Sequence, residues 1–428
     1  MSMDRQKVSI FWFRRDLRLE DNIGLSHALQ GNLPVLPIFI FDYDITDELP
    51  KDDHRITFIY ENLKKINDVI SKKGSSLLIL QGNVEEVWEK LLIDYNIQSV
   101  FANRDYEPYA IKRDKKVKSI LSSNAISFYT FKDQVIFEKD EILKKDNTPY
   151  KMFTPYKNQW LDKFSFQFLK QENKENYTQI RLKFPTLESL GYIYSNLKTR
   201  PIQISDLDHY ETERNIPSID VTSNLGPHLR FGTVSIRKIV NQTQSNQSFL
   251  NELIWREFFM QILYHYPNVV NQNFKSKYND IEWRNNGAEF KKWKEGKTGF
   301  PIVDAGMREL NQSGYMHNRV RMIVAGFLCK DLLIDWKLGE AYFAKKLFDY
   351  ELSSNNGNWQ WAAGTGCDAA PYFRIFNPTQ QIKKFDPNLK YIKKWVPKFG
   401  SSDYPRPMVD HKLAREMALI TYKQGIRI

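Results

Sequence analysis

The chain has 428 residues, enough for two or three domains with sizeable cores, and a formal net charge of +11 from 62 Lys and Arg against 51 Asp and Glu. That excess points towards a polyanionic partner. Two cysteines, Cys329 and Cys367, with no CxxC, exclude a disulfide framework and a cysteine-rich zinc site and fit a reducing cytosol.

The opening "MSMDRQKV" lacks the apolar stretch of a signal peptide, and no run of 18 or more apolar residues follows, so a cytoplasmic chain without a membrane span is expected. "VSIFWF" (8–13) reads as a strand, closed by the charged turn "RRDLRLEDN", with a helix around 21–30. "LPVLPIFIFD" (33–42), "SSLLILQG" (75–82), "SVFANRD" (99–105) and "ISFYTF" (126–131) read as further strands. Helices are predicted between them at 54–72, 84–94 and 110–122. This alternation implies βαβ units and a parallel sheet. No G-x-G-x-x-G follows the first strand, so the sheet is Rossmann-like without a dinucleotide fingerprint. Ligands on such sheets bind beyond the carboxyl ends of strands, which puts "RRD" (14–16) and "NRDYEPYA" (103–110) at a pocket rim.

Residues 132–215 are charged, polar and Pro-interrupted, and read as an interdomain linker with local helix, between an α/β domain at 1–131 and a helical domain at 216–428. In the latter, "FLNELIWREFFMQILYHY" (249–266) and "RVRMIVAGFLCKDLLIDW" (319–336) carry apolar residues at helical spacing. Two motifs fail for want of context. "GTGCDA" (364–369) follows no β-branched strand, and "EGKTG" (295–299) has Lys where a phosphate loop needs Gly.

Three constellations stand out. Glu252, Trp255 and Arg256 share a helical face, and Glu252 with Arg256 has the spacing of a surface ion pair. Asn318, Arg321 and Met322 share another, while Arg319 points elsewhere; Arg321 could pair with Asp349 or Glu351. In "NNGNWQW" (355–361), Trp359 and Trp361 stand two apart, about 200° around a helix, so each serves a different neighbour.

The stretches "FWFRRDLRLEDN", "NRDYEPYAIKRD", "TSNLGPHLRFGTVS", "NELIWREFF", "GKTGFPIVDAGMREL", "MHNRVRMI", "KDLLIDW" and "NNGNWQWAAGTGCDAAPYFRIFNP" together resemble the photolyase/cryptochrome family over nearly the whole chain. "MHNRVRM" looks like the class I cyclobutane pyrimidine dimer photolyases. The resemblance implies an α/β antenna domain followed by an all-α domain holding FAD, active in its reduced anionic form. It assigns Tyr210, Thr222, Ser223, Asn224, Leu225, Gly226, Phe249, Arg256, Arg321, Asp349, Glu351 and Asn355 to the cofactor. Asn355 matches the residue facing flavin N5. Trp359, Trp336 and Trp283 would relay electrons, and Trp361 and Trp255 would cradle the dimer. Glu252, Asn318 and Met322 would contact the dimer, Glu252 as a protonated donor. Arg214, Arg319 and Arg374 would meet phosphates, extended by Lys383 and Lys384.

The implied function is light-driven repair of UV-damaged DNA, by electron transfer to a flipped-out dimer. A blue-light photosensor is the alternative; the "MVDHKLAREMALITYKQ" segment does not read as a signalling tail. A monomer without metal is expected. The chain departs from the family at Phe249 (usually Trp), Gly226 (commonly Ser) and Glu351 (Asp). Tyr109 and Ala110 stand where folate-binding relatives have Asn-Glu, which favours a deazaflavin, FMN or second FAD over methenyltetrahydrofolate as antenna and leaves an empty pocket as a further alternative.

Overall fold

The computed structural model describes residues 6–165, 175–205, 207–219 and 221–426. It divides into two compact units: Met1–Glu138 with Phe164–Pro201 and Pro227–Gln242, and Lys139–Lys163 with Ile202–Gly226 and Thr243–Ile428.

The first unit carries strands β1 (Lys7–Phe13), β2 (Val35–Asp42), β3 (Leu78–Gly82), β4 (Asn96–Asn103) and β5 (Ser127–Phe131). They pair in the order β3-β2-β1-β4-β5, all parallel. Every residue of β2 is buried, and every residue of β1 after Lys7, as a parallel sheet covered on both faces requires. The predicted helices appear as Ile23–Gln30, His54–Ser71, Val84–Asp94 and Pro108–Ser123; the first three are started by Asn22, Asp53 and Asn83, whose side chains accept from the first turn.

Strand order reverses between β1 and β4, so "RRD" and "NRD" meet at one crevice, as expected. Their side chains fill it with ion pairs. Arg14 holds Asp114, Arg15 holds Asp105 and Glu107, and Arg18 holds Asp133. Burial acts against the Asp105 carboxyl, but the surrounding Arg15, Arg230, Arg113 and Arg14 hold it well below the usual carboxylate range.

The second unit is helical. Its core gathers buried side chains from the helices Pro301–Ser313, Asn318–Gly326, Trp336–Lys346 and Leu352–Ala363. The Gln247–His265 helix packs against Leu352–Ala363 at Gly357, where any Cβ would sit 2.2 Å from the ring of Phe259. The glycine of "NNGNWQW" is thus fixed by a helix contact, at a helix-propensity cost of about 1 kcal/mol.

Two expectations meet a different outcome. The helix read over 319–336 ends at Gly326, passes through a π-helical turn at Phe327–Asp331 and restarts at Trp336. Leu333 in the left-handed region (φ 49°) and the Asp335 cap break its continuity. The stretch 132–215 divides between the two units, and 166–174, 206 lie outside the described residues. Within it Phe153–Lys163 forms a helix that buries Phe153, Tyr156 and Trp160.

Candidate active site

Helix Asn318–Gly326, helix Leu352–Ala363 and the segment before the latter enclose a recess of ≈ 540 Å³, partly open to solvent. Asn318, Arg321, Met322, Asp349, Glu351, Asn355 and Trp359 all line it. The helical spacing therefore put Asn318, Arg321 and Met322 on one face correctly, and Arg321 pairs with Asp349 at 2.9 Å. Its Nε also donates to the Met316 carbonyl at 2.8 Å. Arg256 reaches Glu351 at 2.9 Å, a pair with little solvent exposure. Each guanidinium is held by a carboxylate from the 349–351 segment, so both are fixed before any ligand arrives.

The Thr222–Gly226 loop closes on the same acid. A Cβ on Gly226 would fall 2.6 Å from Cβ of Asp349, so the absent side chain lets the loop lie against the Arg321–Asp349 pair. Within the loop Asn224 is left-handed (φ 53°), and the Leu225 amide donates to Ser223 Oγ at 3.4 Å. Tyr210 meets Phe249 edge-on at 5.1 Å and has Arg214 over its ring at 5.3 Å. Burial, with Glu252 adding, pushes the Tyr210 hydroxyl up to about 12.

Glu252 does not pair with Arg256. It bonds Arg214 at 2.6 Å, because Arg256 is drawn to Glu351 and the 210–214 turn brings a second guanidinium to Glu252. The expected dimer contact and the expected phosphate contact thus hold each other through Glu252 Oε1.

Asn355 is nearly buried, and its amide donates to Glu340 Oε1 at 2.8 Å. Donation from Nδ2 leaves Oδ1 as the group free to turn towards the recess. Burial raises the Glu340 carboxyl, opposed by the Asn355 bond. Glu340 escaped the sequence reading; its place one helical turn after Trp336, on the helix facing "NNGNWQW", was the available signal.

Trp359 is 2% exposed and lines the recess, whereas Trp361 lines a neighbouring one with Met322, Lys330, Arg374 and Phe376. The two indoles do serve different neighbours. Trp336 is buried in the same core as Trp359, with Nε1 bonded to Asn273 at 2.8 Å, and Trp283 packs at the edge of that core. Trp255 has one face covered by Phe153.

Arg319 does not line the recess; it reaches Asn215 at 2.6 Å, lies over Phe385 at 4.5 Å, and its Nη1 meets the sulfur of the lining Met322 at 3.8 Å. Burial lowers it, and the fields of Arg214 and Arg374 lower it further, so the three arginines assigned to phosphates form one electropositive group. Lys383 and Lys384 stand in the last turn of the Pro378–Phe385 helix. Among the described residues no cluster of three or more His, Cys, Asp or Glu could hold a metal, and no helix is long and apolar enough to cross a membrane. "GTGCDA" begins at the left-handed Gly364 that ends a helix, outside any βαβ unit.

His317 starts the Asn318–Gly326 helix by accepting the Arg319 amide at 3.2 Å. Burial, with Arg321, Arg319 and Arg214 adding, lowers its pKa from 6.5 to about 4. Between those values the unfolded chain binds the extra proton. Stability should therefore fall as pH drops from 6.5 to 4, by about 3 kcal/mol at most. Urea unfolding at both pH values should show His317→Asn, which keeps a capping oxygen, losing less than wild type. Equal losses would assign the acid sensitivity elsewhere.

Residues 249–402 match the family model of the FAD binding domain of DNA photolyase, and residues 9–176 match that of DNA photolyase. The chain is 35% identical to a deoxyribodipyrimidine photo-lyase of Alkalihalophilus pseudofirmus, over 96% of this chain and 97% of that protein. Among solved structures it is similar to a bacterial class III photolyase from Agrobacterium tumefaciens (TM-score 0.86, 32% identity, covering 99% and 98% of the two chains). It is equally similar to an archaeal photolyase from Sulfolobus tokodaii with two FAD molecules (TM-score 0.86, 35% identity, covering 97% and 100%).

Proposed function

The chain belongs to the DNA photolyase family, and from that premise we propose that it is a light-driven deoxyribodipyrimidine photo-lyase that splits cyclobutane pyrimidine dimers in DNA. The observation that carries this reading is the shared recess. Residues assigned to the cofactor (Arg321, Asp349, Glu351, Asn355) and residues assigned to the dimer (Asn318, Met322) line one space. Donor and acceptor of an electron would be brought together there, which is most of what this reaction asks of a protein.

The lining suits FAD. Arg321 fixed on Asp349, the uncharged amide of Asn355 and the indole of Trp359 are chemically matched to a diphosphate and a flat ring, and Arg256, paired with the lining acid Glu351, and the Thr222–Gly226 loop, lying against Asp349, stand behind them. Bound and reduced, FAD would supply one photoexcited electron to the dimer and take it back after the ring opens. Arg256 and Arg321 would hold it, and Asn355, restrained by Glu340, would keep a neutral amide beside it. Met322, shared by the two recesses, would pack on the flat bases, and Asn318 would offer them a donor and an acceptor. Arg214, Arg319 and Arg374 would anchor the flanking phosphates.

We assign the antenna to a deazaflavin, FMN or second FAD. Tyr109, at the position of the folate binders' Asn, is tied to Asp42 at 2.6 Å and lies near Arg113. Chromophores released by denaturing the purified protein should include no folate; a pterin spectrum would reverse the assignment.

The deciding experiment is anaerobic reduction of the FAD-loaded protein, addition of oligothymidylate containing cyclobutane dimers, and blue light. Recovery of thymine absorbance in light and none in the dark is expected. No recovery with reduced FAD bound would reject the reading in favour of a photosensor or of another lesion.

A further inference from the structure

We propose that Phe153 and Asp368 form a brace that sets the position of the two tryptophan walls, Trp255 and Trp361, and that Phe153 is a positioning residue for lesion binding. This deepens the repair reading and rests on it.

Phe153 lies flat on Trp255, with ring centroids 3.7 Å apart and planes 7° from parallel. Aromatic pairs usually settle offset or edge-on at wider separations. A face-to-face contact this close covers one side of the indole and fixes its plane, with Phe258 and Phe259 against it at 5.6 and 5.4 Å. Phe153 is 7% exposed, so its own far side is covered. The helix it begins is fastened to the helix of Trp255 two residues further on. Trp160 Nε1 donates to Glu257 Oε1 at 2.6 Å, and Tyr156 Oη donates to the same atom at 3.3 Å. Glu257 is buried, so these bonds form in a low-dielectric setting.

The other end of the brace is Asp368. Its Oδ2 accepts the Phe153 amide at 3.0 Å. That amide is the first of the Phe153–Lys163 helix, where the helix dipole favours a carboxylate. Asp368 lies in the turn after the Trp361 helix, in left-handed backbone (φ 47°), with Arg374 further along. The turn is also pinned by the buried Nζ of Lys330, whose pKa burial lowers to about 7. This nitrogen donates to the Ala363 carbonyl at 2.8 Å and to the Tyr372 carbonyl at 3.1 Å, and sits 3.7 Å over the Tyr422 ring. Tyr422 Oη also donates to the Ala363 carbonyl at 2.8 Å.

A continuous chain of contacts therefore runs from Trp255 through Phe153 and Asp368 to the turn carrying Arg374, and so to Trp361. A cavity that must receive two stacked bases at electron-transfer distance gains from a fixed gap between its walls.

The test uses full-length, FAD-loaded, chemically reduced protein and dimer-containing oligothymidylate. Phe153→Leu and Asp368→Ala should each raise KM about tenfold with kcat within about twofold of wild type. Flavin content and flavin photoreduction should stay at wild-type levels, and Phe153→Tyr should restore KM. Unchanged KM in both variants, while wild type repairs, would overturn the brace alone. Parallel loss of kcat and flavin content in Asp368→Ala would also overturn it, by making the contacts merely structural. Should Phe153→Leu fail to fold, Asp368→Ala, which leaves the ring in place, still decides. Wild type that shows no light-dependent repair would reject the underlying reading and the brace with it.

Discussion

Replacing Trp359 by Phe should cut light-driven reduction of oxidised flavin by at least about a hundredfold, while repair by chemically reduced protein stays within about twofold. Trp359 is the one expected relay residue that both lines the recess and sits in the core. Its ring meets Phe343 edge-on at 4.9 Å and Trp293 at 6.2 Å. Phenylalanine keeps those contacts in large part, so the fold survives with a cavity penalty of about 1–3 kcal/mol. What it lacks is an accessible one-electron oxidation, which indole has. A hop from Trp336, equally buried and bonded through Nε1 to Asn273, would then have to cross the whole gap. Repair starts from reduced flavin and asks nothing of the relay, which is why the two readouts separate. Normal photoreduction in Trp359→Phe would reject the relay order. Loss of both activities would mean that the substitution had damaged the recess.

The chain's local patterns made much of this legible. Short apolar runs located all five strands, and Asn318, Arg321 and Met322 fell on one face because helical spacing is a geometric fact. The pairing of Arg321 with an acid in "FDYEL" was readable as one of two choices. Readings that relied on nearness in sequence fared worse. The Glu252–Arg256 spacing is worth only about 0.3–0.5 kcal/mol on an exposed helix, too little to hold Arg256 against a buried carboxylate. Phe153 and Glu257 were missed for a related reason. Prolines and charges made 132–215 look like a linker, although Phe153, Tyr156 and Trp160 already stood at i, i+3 and i+7. The partner of that stripe lies about a hundred residues away, and no local pattern encodes such a distance. The assignment of Trp359 to one side and Trp361 to the other came from helical rotation, but which side meets DNA came only from family resemblance.

Trp361→Ala should weaken binding of dimer-containing DNA by about 1–3 kcal/mol, roughly 5- to 150-fold, and leave affinity for undamaged DNA unchanged. Trp361 is half-buried and shares its recess with Met322, Phe376 and Arg374, apolar surface beside a cation. An extruded base can trade stacking in the duplex for stacking on such an indole. Undamaged DNA has no reason to expose a base, and its affinity depends on phosphate contacts, which are assigned to Arg214, Arg319 and Arg374. Those contacts should set the salt dependence. The alanine variant should therefore lose affinity without changing the slope of log affinity against log salt, whereas Arg374→Ala should flatten that slope on both substrates. Titrations of damaged and undamaged oligonucleotides at several salt concentrations distinguish the two effects. Equal weakening of both by Trp361→Ala would place its role in shaping the Arg374 turn, since the stacking assignment requires the loss to fall on the lesion alone.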